Sequence, residues 1–542
     1  MARPEDHTGI SRNSGKRRTA SMAVATFLMI IGLTLSKGTG FLREIFVVQE
    51  FGEGLYPDAF LLGFQVPDLF FQLLIGGSIQ AAITPTLARS LESGEQKSGW
   101  RSVSIFITLM SVIMMAATLL GMLLSEWIFP LIYPDKNEAI VALAAQSSKA
   151  LFPQVFFMML AALCIGILNA YKKFSSTSFG PTIYNICVVL SIIILGGKSN
   201  QAVIFTAIGI SGSAAVYFLL QFFMARRELR SFRFSLNLKD EGFRALLRLA
   251  VPTMISASIV QLNTIIINSF TGDFNDGIIL SLQNAKTIWQ LPYGIFAVAV
   301  GSVMLPSLAA HFAARDGKSA RILLGKSLRN ALFLTIPSAG LLFGLSGDVV
   351  MAIFNWNGSY SEATKETTGM ILMGYCIAVI AQTVVFIYNQ AFYAIGKTKI
   401  PLLTGVLSMV LISGSCAVMK ALGLLNSASE IGAIGLSLAY SLTSLVSALV
   451  LSSIYRQDRS LAPKSIWPFL IRCVLCLAVM FLAVYAFSLL PVAPQTKIGQ
   501  LLWLGFRAGA GFGGYLLAAR TMQMRELSSF VDRIRRRRKP SV

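Results

Sequence analysis

Long apolar runs separated by short polar loops fill nearly the whole chain. Fourteen can be marked, at about 22–47, 58–88, 102–130, 139–171, 178–196, 203–225, 243–270, 278–311, 327–346, 367–395, 400–423, 430–454, 466–489 and 500–520. Runs of about 20 residues, rising about 1.5 Å each, cross roughly 30 Å of hydrocarbon. The pattern predicts an all-α polytopic membrane protein with about 14 transmembrane helices and no sizeable soluble domain, so the function must lie within the membrane.

The runs also repeat. "GGSIQAAITPTLARSLESGEQKS", reaching Pro85, is similar to "VGSVMLPSLAAHFAARDGKS", reaching Pro306, at an offset of 221 residues. Independently, "NAYKKFSSTSFGP" (Asn169 to Pro181) has the length of "NQAFYAIGKTKIP" (Asn389 to Pro401), at an offset of 220. Two landmarks at nearly one spacing predict a six-span unit used twice, 22–226 and 243–454. The spans at 466–520 are then an addition. Because six is even, both copies enter the membrane from the same side, which implies two lobes in a pseudo-two-fold parallel repeat about an axis along the membrane normal.

Charge orients this array. The chain of 542 residues is 55% hydrophobic and 13% charged, with a net charge of +21, against roughly a quarter charged in soluble domains. The excess is not a nucleic-acid surface, because basic residues gather in alternate short loops: Arg89 to Arg101, Lys172 and Lys173, Arg226 to Lys239, Arg315 to Lys326, Lys397 and Lys399, and Arg456 to Lys464. The positive-inside rule makes those loops cytoplasmic. The remaining loops carry only Lys136, Lys198, Lys365 and Lys497 as bases, alongside acids such as Glu53, Asp135, Asp273, Asp276 and Asp348. Both basic tails, 1–21 and 521–542, are then cytoplasmic; residues 1–21 lack an apolar run, and the run that begins at Met22 is too long for a signal-peptide core. The tails also suit anionic membrane lipids.

Soluble-enzyme chemistry finds no foothold. There is no phosphate-cradling GxxxxGK[ST], no HExxH, and only two histidines, His7 and His311. The six cysteines all fall in apolar segments; Cys473 and Cys476 form a CxxC that reads as packed or lipid-facing helix, with no metal site implied. Without a nucleotide-binding domain the chain does not itself use ATP, which leaves a transporter driven by an ion gradient, the membrane potential or its own substrate.

An ionisable residue at a helix centre costs about 2.5–3.5 kcal/mol on insertion scales, so it points to a polar cavity or pathway. Lys37, Arg43, Glu44, Asp68, Lys149 and Lys286 concentrate in the first copy and its junction with the second. Lys37 lies about 15 residues into the first span; Glu44 shares its helical face, while Arg43 points about a third of a turn away unless Gly38 and Gly40 bend the helix. A simpler alternative has Arg43 and Glu44 snorkelling to the interface with Lys37 partly following. Lys286 sits among Gln283, Asn284, Thr287 and Gln290. Asp68, after Pro67 and between Gln65 and Gln72, is either a partner for a base or a hydrogen-bonded kink. Asp58 reads as the N-cap of the second span or as a gate at the outer mouth. Several cations with few compensating carboxylates favour an anionic guest such as a diphosphate head group; a cation antiporter would need carboxylates in excess.

These residues also resemble a known family. "SKGTGFLREIFVVQEFGEGLYPDAFLLGFQVPDLFFQLLIGGSIQAAITP" (Ser36 to Pro85) and "LPYGIFAVAVGSVMLPSLAAHF" (Leu291 to Phe312) resemble the MurJ (MviN) lipid II flippases of the multidrug/oligosaccharidyl-lipid/polysaccharide exporter superfamily. The resemblance implies a two-lobed transporter of the bacterial plasma membrane. It would move undecaprenyl-diphosphate-linked peptidoglycan precursor from the inner to the outer leaflet by alternating access, without a cofactor, with cell-wall synthesis proteins as candidate partners. It also implies functional roles at the positions of Lys37, Arg43, Glu44 and Asp58. The expected binding set is Lys37, Arg43, Lys286, Gln72 and Gln290, and the expected gate is Glu44, Asp58 and Asp68. This chain departs where proteobacterial relatives carry charged pairs, reading Phe71-Gln72 and Lys286-Thr287. Alternative readings are a flippase for another polyprenyl-linked oligosaccharide, a cation-coupled drug antiporter of the same fold, and a non-transporting scaffold, which would need a long interaction domain.

Overall fold

The computed structural model describes residues 31–32, 34–75, 82–173, 177–356, 358–427, 432–457, 466–490, 494 and 496–528. The tail 1–21, residues 22–30 of the first span, the repeat stretch 76–81, Arg459, Lys464 and the final "RIRRRRK" lie outside them. The described residues are helical with no strand, as a bilayer demands when every backbone polar group must be satisfied within its own segment. Nine helices among them are long and apolar enough to cross a membrane, or ten if one bent pair counts as a span. By contacts the chain divides into two units, and the division runs through one helix, after Gln261.

The first unit holds residues up to Phe51, Ala59–Leu131 and Ala139–Gln261. Its helices are α1 (34–51), α2 (Leu55–Leu74) from Ala59 on, α3 (Thr84–Glu92), α4 (Gln96–Ile132) to Leu131, α5 (Glu138–Ala170) from Ala139, α6 (Gly180–Leu195), α7 (Asn200–Ala225) and α8 (Glu241–Ser269) to Gln261. Local chemistry sets several boundaries: Pro85 and Pro181 open α3 and α6, where a missing N–H costs nothing, and the Ser199 hydroxyl accepts from the Ala202 N–H to cap α7. Trp100, Phe106, Met110, Met159 and Leu163 are buried together between α4 and α5. By contrast, Leu123, Trp127 and Leu131 on α4 are 71%, 79% and 82% exposed, the apolar exterior that lipid covers. The Asn185 amide ties α6 to α1 by donating to the Ser36 carbonyl (2.9 Å), and the Thr182 hydroxyl donates to the Gly32 carbonyl just ahead of α1 (3.1 Å).

The second unit holds the rest, and it includes two short stretches of the N-terminal half, Gly52–Asp58 and Ile132–Glu138. After α8 come α9 (Ile278–Pro292), a π-helical turn (Tyr293–Val298), α10 (Ala299–Ala313), α11 (Gly317–Gly344) and α12 (Ser346–Phe354). Then follow α13 (Glu362–Ala394), α14 (Lys399–Ala421), α15 (Gly432–Arg456), α16 (Trp467–Ser488) and α17 (Lys497–Thr521). The run expected at 278–311 is thus one 36-residue apolar helix interrupted by a π turn, beginning where Pro292 removes a backbone donor. The run expected to end at 346 instead turns by 83° into α12, an element that the pattern did not predict.

Leu324, Phe333, Tyr388, Phe392, Met480 and Tyr515 anchor the buried core of the second unit, and the Tyr515 hydroxyl donates to the Phe333 carbonyl (3.2 Å). The two C-terminal helices therefore share this core. They are also clasped to α12: Arg507 meets Asp348 at 2.7 Å, and Lys497 Nζ donates to the carbonyls of Met351 and Asn355, each at 2.5 Å, while sitting 5.4 Å from the Trp356 ring centre. The Met351 carbonyl also accepts from the Asn355 N–H (3.2 Å), so the lysine adds a second donor there and meets the negative end of the dipole.

Candidate functional site

In the first unit, α1 carries the polar cluster. Arg43 Nη2 lies 2.6 Å and Nε 3.3 Å from Glu44 Oε1, with the carboxylate side chain only 6% exposed and the guanidinium 33%. Adjacent residues on a helix do not normally face each other; the long arginine stem bridges the difference. Asp68 on α2 and Tyr184 on α6 lie close enough to act on the charge of Arg43. Glu44 shares a helical face with Lys37, but its partner is Arg43. Lys37 is exposed and makes no hydrogen bond or ion pair among the described residues. Gln72 is half-buried on α2. Lys149 stands apart from the cluster, paired with Glu126 at 2.6 Å on an exposed flank of α4 and α5.

In the second unit, Lys286 is half-buried on α9 and donates to the Thr264 hydroxyl at 3.0 Å. Its neighbour Asn284 is fully buried and donates to the Tyr360 hydroxyl (3.3 Å), which in turn pairs with Thr368 (2.6 Å). Gln290, one turn beyond Lys286, is exposed.

Asp58 belongs to a second cluster in this unit. Rather than capping its own helix, it lies inside the first turn of α2 and caps α9. Its carboxylate accepts from the Gly277 N–H (2.8 Å) and the Leu280 N–H (2.9 Å). A carboxylate at a helix N-terminus gains both capping bonds and dipole attraction. Lys136 Nζ lies 3.9 Å away, and both side chains are almost wholly buried, 0% and 2% exposed. Burial pushes the Lys136 amine below its usual range, against the opposing pull of Asp58 and Asp276. The close fit depends on Gly277 at φ 101°, with Gly54 packed alongside. Gly277→Ala is therefore expected to lower the thermal unfolding midpoint through a loss of about 1–2 kcal/mol, the strain of a left-handed non-glycine residue; an unchanged midpoint would contradict it.

Sequence reasoning missed Lys136, Lys420 and Arg507. Lys420 meets Asp135 at 2.6 Å and Asp273 at 3.6 Å. A usable signal existed for Lys136, an isolated base in an acidic loop, and for Arg507, an arginine in the middle of an apolar run. All six cysteines are free, with Cys473 accepting from the Tyr515 hydroxyl at 3.6 Å. Among the described residues no group of His, Cys, Asp and Glu could hold a metal ion.

Comparison with known proteins places this arrangement. The sequence profile of the family described as "Lipid II flippase MurJ" matches residues 47–504. A probable lipid II flippase MurJ of Rhizobium tropici is 29% identical over 388 residues, 70% of this chain and 72% of the relative. The lipid II flippase MurJ of Burkholderia cenocepacia is 26% identical over 381 residues, 69% and 74% of the two chains. Among solved structures, a lipid II flippase MurJ in an inward closed conformation superposes with a TM-score of 0.74 at 21% identity, covering 92% of this chain and 98% of that one. An inward-facing multidrug resistance MATE transporter of the MOP superfamily gives 0.64 at 14% identity, covering 80% and 98%. These two structural likenesses speak for the fold.

Proposed function

Because the chain belongs to the MurJ lipid II flippase family, we propose that it carries lipid II from the inner to the outer leaflet of the bacterial plasma membrane by alternating access. The family match across residues 47–504 carries this reading. The proposal includes fourteen spans arranged as two six-helix copies, 22–226 and 243–454, plus 466–520, with both termini cytoplasmic. Lys37, Arg43 and Lys286, helped by Gln72 and Gln290, bind the diphosphate of the cargo. A free lysine is suited to this, because a strongly hydrated ammonium binds phosphate as a point charge while an arginine supplies a planar fork. Glu44, Asp58 and Asp68 act as the gate. An ion gradient or the membrane potential drives the cycle, and cell-wall synthesis proteins receive the product.

The test is complementation in bacteria depleted of their own lipid II flippase, reading lipid II in the outer leaflet. Wild type is expected to rescue, and Lys37→Ala, at equal membrane level, to move lipid II at least about tenfold more slowly, the effect of losing roughly 1.4 kcal/mol of cargo binding. A wild-type protein that is inserted yet fails to rescue would remove lipid II as the cargo and favour another polyprenyl-linked oligosaccharide, in keeping with Phe71-Gln72 where proteobacterial relatives carry charge.

A further inference from the structure

The chain that follows α17 folds back onto α16 and brings methionine sulfur to a buried cysteine. On α16, Cys473 and Cys476 stand three residues apart on one face, both fully buried in the core of the second unit. The Cys473 sulfur accepts from the Tyr515 hydroxyl at 3.6 Å. The Cys476 sulfur lies 3.8 Å from Met522 Sδ and 4.0 Å from Met524 Sδ. Both methionines owe their places to Gln523, whose φ of 52° is the left-handed position that glycine usually fills after a helix. The Gln523 N–H donates to the Arg520 carbonyl and the Met524 N–H to the Ala519 carbonyl, each at 3.0 Å, and this turn sets two thioethers on one thiol.

One S–H has a single hydrogen to share between two thioether acceptors. A metal ion in place of that proton serves all three sulfurs at once. Sulfurs held about 2.3 Å from one d10 ion, the length of a zinc–thiolate bond, stand about 4.0 Å apart in a trigonal plane and about 3.8 Å apart as corners of a tetrahedron. The two measured separations have those lengths. The cysteines alone make no metal site; the thioethers, 46 and 48 residues further along, supply the missing donors. Thiolate and thioether are soft ligands, which select Cu(I) among the divalent and monovalent metals of a cell. Charge agrees, because one thiolate and one monovalent cation make a neutral centre that a buried position accepts without a counter-ion. Met522 is only half-buried and Gln523 is exposed, so an ion has a way in.

We propose that Cys476, Met522 and Met524 form a binding site for one Cu(I) ion, with Cys473 behind it on the same helix face. On binding, the Cys476 thiol gives its proton to water and its sulfur bonds to the metal; the copper enters already reduced, so no electron is transferred. The bound ion fastens the end of α17 to α16. This site goes beyond the transport reading and depends on no step of it.

The test titrates the purified protein in detergent, reduced and free of oxygen, with the Cu(I)–bicinchoninate complex. Wild type is expected to withdraw one copper per chain, to release one proton as it does so, and to unfold at a higher temperature once loaded. X-ray absorption of the loaded protein should show sulfur neighbours alone, at about 2.3 Å. Leucine keeps the size and apolar character of methionine but donates nothing. Met522→Leu/Met524→Leu should therefore unfold near wild type without metal, yet bind copper at least about a hundredfold more weakly. Cys476→Ala should lose binding to the same extent. Failure of wild type to take copper from the complex would overturn the site. Copper retained in full by the double leucine protein would place it on a thiol elsewhere and overturn the site as well. None of these readings involves cargo, so the outcome for lipid II and the outcome for copper are independent.

Discussion

Asp58→Ala is expected to destabilise the protein by about 3–5 kcal/mol, the range for removing one partner of a buried charge pair. Three groups lose their counterpart at once: the Gly277 N–H, the Leu280 N–H and the Lys136 ammonium. Two of the three, Lys136 and Leu280, are buried where water would not readily take over, and Gly277 is half-buried. Asp58→Asn separates the contributions. Its side-chain carbonyl can still accept from one backbone donor but offers Lys136 no charge, so it should fall between wild type and alanine. Thermal or denaturant unfolding of the purified protein in detergent reads the effect directly. If Asp58→Ala unfolds with wild type, the carboxylate does not hold the start of α9.

The other large effect is expected on transport. Arg43→Ala should slow the appearance of lipid II in the outer leaflet at least tenfold, about 1.4 kcal/mol, which is less than the roughly 1.5–3 kcal/mol of a hydrogen bond to a charged group. Arg43→Lys should keep part of the activity, because it retains the charge but cannot place two donors on Glu44 Oε1 as Nε and Nη2 do. A second substitution tells a cargo role from a merely neutralising one. If Arg43→Ala with Glu44→Gln recovers full transport, the arginine serves only to balance a buried carboxylate. If transport stays low, Arg43 acts on the cargo.

The helical architecture was legible because hydrocarbon leaves the backbone so few options: the length and polarity of each apolar run decide the element. The bend after Gly344 was not, since a short apolar helix after a long one has the same composition as its continuation. For the site, intramembrane charge singled out Lys37, Arg43, Glu44, Asp68, Lys149 and Lys286; Arg43 pairs with Glu44, Lys286 bonds Thr264, and Lys149 pairs with Glu126 on an exposed flank. Which partner each one takes was beyond the sequence. Helical spacing favoured Glu44 with Lys37, but an arginine stem is long enough to defeat that spacing. Asp58 reaches a helix 219 residues further along, a distance that no local pattern encodes. Arg507 was visible as a charge in an apolar run; its partner Asp348 looked like an ordinary loop acid until the chain turned by 83° beside it.

The clasp of Lys497 on the end of α12 bears on how the protein is made. The lysine comes 142 residues after Asn355, and at roughly 5–20 residues per second a ribosome needs about 7–30 s to cover that interval. Throughout it, the carbonyls of Met351 and Asn355 have been synthesised and their lysine has not. The Met351 carbonyl has the Asn355 N–H in the meantime, and the end of α12 gains its two lysine bonds only when the last helix arrives. A chain stopped before Lys497 would lack both lysine bonds and the helix that also carries Arg507 to Asp348, so α12 would be left held by its own backbone bonds and its packing.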